Sequence, residues 1–187
     1  TARPRTPRSL AAPRKVSSAS RSPATTSTGT PSTSRAGRRK SSALRASRQA
    51  RVEVEVLNLT VGWGTFRPVS APDYRNHRML GEAFNVPEAA ARAANRARRE
   101  KRRVWAVGTT VVRALESAAD EKGEVRAASG NTSLFIYPGY RFKAIDAFIT
   151  NFHLGGHTPL LLTGAFAGIP LLKSAYEEAI RRDYLFY

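Results

Sequence analysis

The sequence predicts an α/β fold for residues 51–187, and two observations lead to this prediction. Short apolar runs of strand length alternate with longer stretches in which apolar residues recur at helical spacing. Glycine or proline stands at most of the transitions between these runs, as is typical where strands and helices end. Residues 1–50 show neither feature, so we treat them as a separate segment.

Residues 1–50 carry 12 Lys or Arg, no Asp or Glu and no aromatic residue. Their composition cannot bury a core, so we predict that the segment is disordered. A solvated linker, a basic arm for nucleic acid, an organellar transit peptide and a wrong-frame translation of GC-rich DNA all remain open as its origin. Subtracting these 12 residues from the 31 basic residues of the chain leaves 19 against 14 acidic ones, a net charge of +5 rather than +17.

The composition also excludes several classes of protein. The chain has no cysteine, which excludes disulfides, thiolate metal sites and cysteine nucleophiles, and its three histidines do not predict a metal site. No run approaches 18 apolar residues and no secretory signal pattern is present. We therefore expect a cytoplasmic monomer that binds no metal and does not enter a membrane.

Residues 51–61 alternate apolar and polar side chains, which predicts a half-buried strand. The strand leads into Gly62-Trp63-Gly64-Thr65-Phe66. Two glycines let a backbone approach a ligand closely, and Trp63 and Phe66 could stack on a base. An ordinary turn is the alternative interpretation of the same residues.

Residues 83–86 form a second strand-like run, and Pro87-Glu88 predicts the start of a helix that continues to about residue 102. The apolar face of this helix is mostly alanine: Ala89, Ala90, Ala93 and Ala97. Basic residues crowd the rest: Arg92, Arg96, Arg98, Arg99, Lys101, Arg102 and Arg103. This pattern fits either a solvated helix or a surface that contacts a phosphate backbone.

Residues 104–107 predict a third strand, after which Gly108-Thr109-Thr110 begins a helix. Free N–H groups at a helix start can hold a carboxylate or phosphate, while a plain N-cap role for Thr110 is the alternative. Arg113 and Glu116 lie three residues apart and share a polar face of this helix.

Residues 134–153, which follow a predicted polar loop at 121–131, predict two strands around the turn Pro138-Gly139. The second strand ends in Thr150, Asn151 and His153, which either face a cleft or form an ordinary polar loop. Two further helices are predicted at about 160–166 and 170–182, and a last strand at 184–187.

Five motifs resemble one family in sequence and in order: residues 61–69, 77–79 with Glu82, 107–117, 135–140 and 149–154. The family is that of the S-adenosylmethionine:tRNA ribosyltransferase-isomerases of queuosine biosynthesis. The resemblance covers about residues 52–187 and does not extend into residues 1–50.

This resemblance implies an enzyme that moves the ribosyl part of S-adenosylmethionine onto 7-aminomethyl-7-deazaguanine at the wobble position of tRNA. The products would be epoxyqueuosine, adenine and methionine, and no metal is implied. It also implies a larger protein with a barrel-like α/β domain and an inserted β-barrel. Residues 51–187 would then be the C-terminal part of the barrel-like domain, a partial α/β domain preceded by the disordered basic segment.

The resemblance further implies which residues form the site. Three titratable residues are candidates for catalysis, because the reaction removes one proton beside the sulfonium and another from the attacking amine: His77, Glu82 and His153. Nine residues are candidates for binding S-adenosylmethionine, the base or a tRNA phosphate: Gly62, Gly64, Thr65, Phe66, Gly108, Thr109, Thr110, Arg113 and Asn151.

The sequence departs from the family pattern at several positions. The family has histidine where Thr60 and Leu80 stand, Pro-x-Ser at residues 155–157 and serine at Gly164, and it continues to a Ser-Tyr-Gly-Asp segment. Two functions are therefore carried forward: the ribosyltransferase-isomerase, and a non-catalytic truncated remnant or basic RNA-binding module.

Overall fold

The structure is a computed structural model, and it describes residues 52–62 and 68–186. This region of the chain is mixed α/β, which confirms the predicted class, while the barrel-like closure stays a prediction. The predicted disordered segment and Gly64, Thr65 and Phe66 lie outside the described residues. The elements in chain order are β1 (Asn58–Leu59), a short 3-10 helix (Tyr74–Asn76), β2 (Glu82–Val86), α1 (Glu88–Arg99), β3 (Trp105–Val107), α2 (Thr109–Ala118), β4 (Ala128–Thr132), β5 (Ala147–Ile149), α3 (Thr158–Ala167) and α4 (Ile169–Arg181).

The strands form two small sheets. In the antiparallel sheet β2 lies between β1 and β4, with Glu82 opposite Thr132. In the parallel pair β3 lies beside β5, with Val107 opposite Ile149. The N–H of Gly108 donates to the carbonyl of Ile149 at 2.8 Å, so the pairing continues to the residue that begins α2.

The hydrophobic core lies around α2. Val112 and Ala114 on this helix are fully buried, as is Ala106 on β3, and they pack in one cluster with Val86 of β2 and Ile136. A ten-residue helix between the two sheets therefore supplies the surface against which both sheets bury their apolar side chains.

The inward face of α1 differs from the predicted one. The buried alanines are Ala90, Ala91, Ala94 and Ala97, whereas Ala89 is exposed and Ala93 is half-buried. The side-chain amide of Asn95 explains the rotation: its nitrogen donates to the carbonyl of Val125 at 2.7 Å, and its oxygen accepts from the N–H of Val125 at 2.9 Å. This pair of hydrogen bonds fixes which side of the helix faces inward.

The predicted strands at the two ends of this region are largely wrong. Within residues 52–61 the pairing with β2 is limited to β1 and the N–H of Thr60, and Val52, Val54 and Val56 are exposed by 55%, 46% and 69%. The edge position of β1 explains this, because Leu57 and Leu59 on one face pack against the core while the opposite face stays exposed. Near the C-terminus, Phe186 forms only an isolated bridge with Phe152.

The middle of the chain also departs from prediction. Residues 134–137 and 142–146 form no strand, and only β5 of that stretch is regular. The predicted polar loop at 121–131 instead leads into β4, whose exposed residues Ser129, Gly130 and Asn131 carry no apolar alternation. Backbone hydrogen bonds to β2 form this strand, so a pattern of side chains could not reveal it.

Within the described ranges, no single helix has the length and apolar composition needed to cross a membrane. The helices α3 and α4 meet those criteria only together, across a bend of 117°.

Gly164 lies at the contact between α3 and α4. A Cβ atom there would be 3.2 Å from Cδ1 of Ile169 and 3.4 Å from Cδ2 of Leu172. Serine, which the family resemblance implies at this position, would require those side chains to shift by a few tenths of an ångström.

Both α1 and α4 end in the same turn. Arg102 N–H donates to the carbonyl of Ala97 at 2.8 Å, and Tyr184 N–H donates to that of Ala179 at 3.0 Å. The residues in the left-handed position are Lys101, with φ of 55°, and Asp183, with φ of 53°. Glycine is usual at this position, and a residue with a Cβ atom there costs about 1–2 kcal/mol.

We predict that Gly123→Ala lowers the free energy of unfolding by more than 2 kcal/mol, roughly the upper end of the strain of a left-handed residue alone. Gly123 has φ of +79°, and a Cβ atom would lie 2.4 Å from the carbonyl oxygen of Lys143. Urea denaturation measures the change. The control is Gly139→Ala, where φ is +104° but no atom lies within 4 Å of the added carbon. Equal losses in the two variants would contradict the close contact at Gly123.

Candidate functional site

A crevice of about 20 Å³ lies where the N-termini of α2 and α3 meet. It is lined by Met79, Thr109, Thr110, Arg113, Leu134, Phe135, Ile136, Thr158, Pro159 and Leu162. The first N–H groups of a helix have no partner within the helix and carry its positive dipole end. The space holds about one water molecule, so these residues form one wall of a binding site rather than a complete pocket.

The N-cap residues of α2 and α3 do not close these helix starts through their side chains. Gly108, with φ of 98°, is the N-cap of α2, His157 is the N-cap of α3, and neither makes a side-chain capping hydrogen bond. The sequence leaves open that Thr110 is a plain N-cap. This alternative is wrong, because Thr110 is the second residue inside the helix. The N–H groups of both first turns are directed toward the crevice end of the helices.

Arg113 forms a buried ion pair with Glu82. The Arg113 and Glu82 side chains are only 7% and 2% exposed. The other Glu82 oxygen accepts from the N–H of Gly62 at 3.0 Å, and Arg113 Nε donates to the carbonyl of Leu134 at 3.0 Å. The pair therefore joins three predicted site residues and holds α2 against β2 and against the chain that leaves β4.

Glu116 is a second buried carboxylate on α2, and sequence reasoning placed it only on a polar helix face. It is 2% exposed and accepts from the N–H of Ala144 at 2.9 Å, from that of Lys143 at 2.9 Å and from the hydroxyl of Tyr140 at 3.1 Å. Burial raises the pKa of Tyr140, and the negative charge of Glu116 raises it further. The sequence signal was a lone carboxylate between Leu115 and Ala118, which does not distinguish a buried from an exposed position.

The ring of Phe135 separates His77 from the crevice. Its imidazole packs on Phe135 with ring centroids 5.2 Å apart, and Phe135 packs on Tyr137 at the same separation. Nε2 of His77 is buried, and it has no hydrogen-bond partner in the region of the chain that the structure describes. A buried polar atom without a partner is costly, so this nitrogen is a candidate contact for a ligand.

His153 and Asn151 occupy different surroundings from each other. Nε2 of His153 lies 2.8 Å from Oγ1 of Thr150, and the Tyr176 hydroxyl accepts from the N–H of His153 at 2.8 Å and donates to its carbonyl at 3.1 Å. Asn151 is exposed and lines a separate open depression of about 540 Å³ with Arg182 and Tyr184.

The structure thus brings Thr109, Thr110 and Arg113 together at the crevice, with Glu82 paired to Arg113, Gly62 bonded to Glu82 and His77 beside Phe135. His153 is not among the residues that line the crevice. Asn151 does not join them. Within residues 52–62 and 68–186, no group of three or more His, Asp or Glu side chains is placed to hold a metal ion.

Comparisons with known proteins agree on one family. A family model described as a queuosine biosynthesis protein matches residues 24–187. The match begins within residues 1–50, into which the resemblance was not expected to extend. The S-adenosylmethionine:tRNA ribosyltransferase-isomerase of Natranaerobius thermophilus is 50% identical over 135 residues, covering 72% of this chain and 39% of that protein. The corresponding protein of Geobacter sulfurreducens is 51% identical over 136 residues, covering 73% and 40%.

A solved structure supports the same relationship. The S-adenosylmethionine tRNA ribosyltransferase of Thermotoga maritima matches with a TM-score of 0.63 and 35% identity, covering 78% of this chain and 46% of that one. The predicted family resemblance is confirmed. The chain spans about two fifths of the length of the curated relatives it matches.

We predict that Glu82→Gln lowers the free energy of unfolding by about 3 kcal/mol, because it leaves the Arg113 guanidinium buried without its counter-charge. Replacing both residues with methionine should cost less than this single change, since no charge then remains buried. Urea denaturation at neutral pH compares the variants.

The control for Glu82→Gln is Glu88→Gln, which removes an exposed pair with Arg92 and should change stability by less than about 0.5 kcal/mol. Equal effects of Glu82→Gln and Glu88→Gln would show that the buried pair does not carry the packing of α2.

We also predict that the free energy of unfolding depends on pH through the side chain of Tyr140. Its pKa is raised in the folded chain, so above about pH 10 the unfolded chain loses this proton while the folded chain keeps it, and stability falls as pH rises. Tyr140→Phe should show a shallower decline in unfolding free energy between pH 9 and 11, roughly the range around the tyrosine reference pKa. Parallel declines in the two proteins would exclude a raised pKa of Tyr140 in the folded chain.

Proposed function

Because the chain belongs to the queuosine biosynthesis protein family, we propose that it forms a portion of an S-adenosylmethionine:tRNA ribosyltransferase-isomerase. Sequence identity carries this proposal. About half of the aligned residues are identical to those of two enzymes of that name, over 135 and 136 residues. S-adenosylmethionine is then the ribosyl-donating substrate and tRNA the acceptor.

The finer assignment follows the family resemblance. The acceptor is 7-aminomethyl-7-deazaguanine at the wobble position, the modified nucleoside is epoxyqueuosine, and adenine and methionine leave. The enzyme acts in the cytoplasm as a monomer, and these residues belong to a barrel-like α/β domain. The mixed α/β architecture and its similarity to the Thermotoga maritima structure support the domain assignment.

The crevice supports a role in holding the carboxylate of the methionine moiety. The open N-termini of α2 and α3 meet there, and the hydroxyls of Thr109 and Thr110 add two donors. Arg113 was expected to share this task, but Glu82 and the carbonyl of Leu134 already engage it. Arg113 and Glu82 are therefore positioning residues that hold the first turn of α2 at the crevice.

His77 is the strongest candidate for proton transfer among the three titratable residues. A neutral imidazole accepts a proton through its unprotonated nitrogen, and Nε2 of His77 is buried beside the crevice without a partner in the described residues. Glu82 has both oxygens engaged, by Arg113 and by the N–H of Gly62. His153 has its ring nitrogen at Thr150.

A non-catalytic RNA-binding remnant is the second candidate, and specific positions favour it. Thr60 and Leu80 stand where the family has histidine, and both are exposed. Catalysis that needs those imidazoles would be lost, whereas binding of RNA by the basic residues of α1 and the turn after it would persist.

Calorimetry with S-adenosylmethionine, together with chromatographic detection of adenine after addition of the modified tRNA, separates the two candidates. Saturable binding and adenine release support the enzyme. Binding of tRNA without binding of S-adenosylmethionine would support the remnant and contradict the enzyme.

We predict that replacing both Thr109 and Thr110 with valine weakens S-adenosylmethionine binding about tenfold or more, because two hydroxyl donors are lost at the carboxylate. Thr163→Val is the matched control, since its hydroxyl donates to the carbonyl of Pro159 within α3. Equal affinity in the double variant and in the control would place the carboxylate elsewhere.

A further inference from the structure

The turn after α1 carries several exposed cations. Seven basic residues lie between residues 92 and 103, and several are engaged: Arg92 pairs with Glu88, Arg96 pairs with Glu53, and Arg98 donates to the carbonyl of Lys143 at 2.5 Å. The other four basic residues are exposed: Arg99, Lys101, Arg102 and Arg103. We name these four residues, together with the neighbouring exposed Trp105, the basic turn.

Within the described residues, Arg99 and Lys101 have no ion-pair partner, and Arg102 pairs with the exposed Glu100. The other nearby acid is Asp146, whose carboxylate accepts from the N–H of Val104 at 2.8 Å. The basic turn therefore keeps an excess of positive charge after its acidic neighbours are counted.

Lys101 occupies a position that would normally be glycine. Its φ of 55° places it in the left-handed region, and its neighbour Arg102 closes the helix through the hydrogen bond to Ala97. The last turn of α1 already holds Arg96, Arg98 and Arg99 against the negative end of the helix dipole. A further strained cation beyond the helix end is not needed to stabilise the helix.

An aromatic ring lies next to these cations. The guanidinium of Arg103 lies over the Trp105 ring, 5.4 Å from its centroid, and Trp105 is 53% exposed. Positive charge beside an exposed aromatic ring is typical of surfaces that bind nucleic acid, where cations contact phosphates and rings stack on bases.

We propose that the basic turn is a docking surface for the phosphate backbone of tRNA. The inference rests on the proposed function, because tRNA is the polyanion that such an enzyme must hold. Trp105 begins β3 and Gly108 follows its end, so the basic turn lies about 10 Å along the strand from the crevice side. It would engage the tRNA outside the place where the reacting base is bound.

A charge-matched pair of variants tests the surface. Arg99, Lys101 and Arg103 are changed to glutamine in one protein, and Lys173, Arg181 and Arg182 in the other, so that each loses three positive charges. The second set is paired with Glu177 and Glu178 on α4. Fluorescence anisotropy with unmodified tRNA measures the dissociation constant at several salt concentrations.

The first variant should bind at least tenfold more weakly at about 0.1 M salt, and the slope of log affinity against log salt should fall by about 2–3. The second should bind as the wild type does. Equal weakening of both variants, or of neither, would overturn the proposal, since binding would then reflect total charge or another surface.

A second experiment uses the strained lysine. Lys101→Gly should raise the urea midpoint, because glycine fits the left-handed position, and yet weaken tRNA binding severalfold. Asp183→Gly is the control, because Asp183 holds the same position after α4. It should raise the midpoint without weakening tRNA binding. If Lys101→Gly stabilises the chain and binds tRNA normally, Lys101 does not contact RNA.

Calorimetry with S-adenosylmethionine distinguishes the failure of this proposal from the failure of the proposed function. The charge variants should bind S-adenosylmethionine as the wild type does. If that binding is intact but the basic turn does not matter for tRNA, only the docking surface is wrong. If the wild type binds tRNA through the basic turn but does not bind S-adenosylmethionine, the enzymatic proposal fails alone.

Discussion

The buried ion pair between Glu82 and Arg113 is the interaction on which the rest of this structure depends. Two charges removed from water are costly unless further hydrogen bonds satisfy them, and here Gly62 and the carbonyl of Leu134 supply such bonds. The pair links the central strand of one sheet to the helix that carries the core. It thereby fixes the N-terminal turn of α2, where the crevice lies.

Glu116 has a similar structural role about one turn farther along α2. The chain between β4 and β5 is irregular, so its backbone N–H groups have no strand partners, and buried N–H groups must be paired. The Glu116 carboxylate accepts two of them, from Lys143 and Ala144, and also the Tyr140 hydroxyl. A side chain on a helix thus replaces the ladder that the sequence pattern led us to expect.

The surfaces to which we assign function lie where the described part of the fold leaves polar or charged groups without partners. The N-termini of α2 and α3 and Nε2 of His77 lie on the crevice side, and the exposed cations of the basic turn lie at the other end of β3. The first set fits a small anionic substrate, whereas the second fits an extended polyanion. The proposed transfer of a ribosyl group from S-adenosylmethionine to tRNA needs both kinds of surface.

The sequence by itself determined the α/β class, the family and the cores of the four helices, because 3.6-residue periodicity and helix-start signals are local properties of the chain. It also identified Arg113 and Glu82 as candidates through motif resemblance. It could not determine β4, the exposure of Val52 and Val54, or the inward face of α1. Strand pairing and helix rotation depend on partners distant in sequence, such as β2 for β4 and Val125 for Asn95. Only the tertiary structure decided that Arg113 faces Glu82 and that Glu116 is buried, because burial of a charge depends on which distant donors and counter-charges surround it.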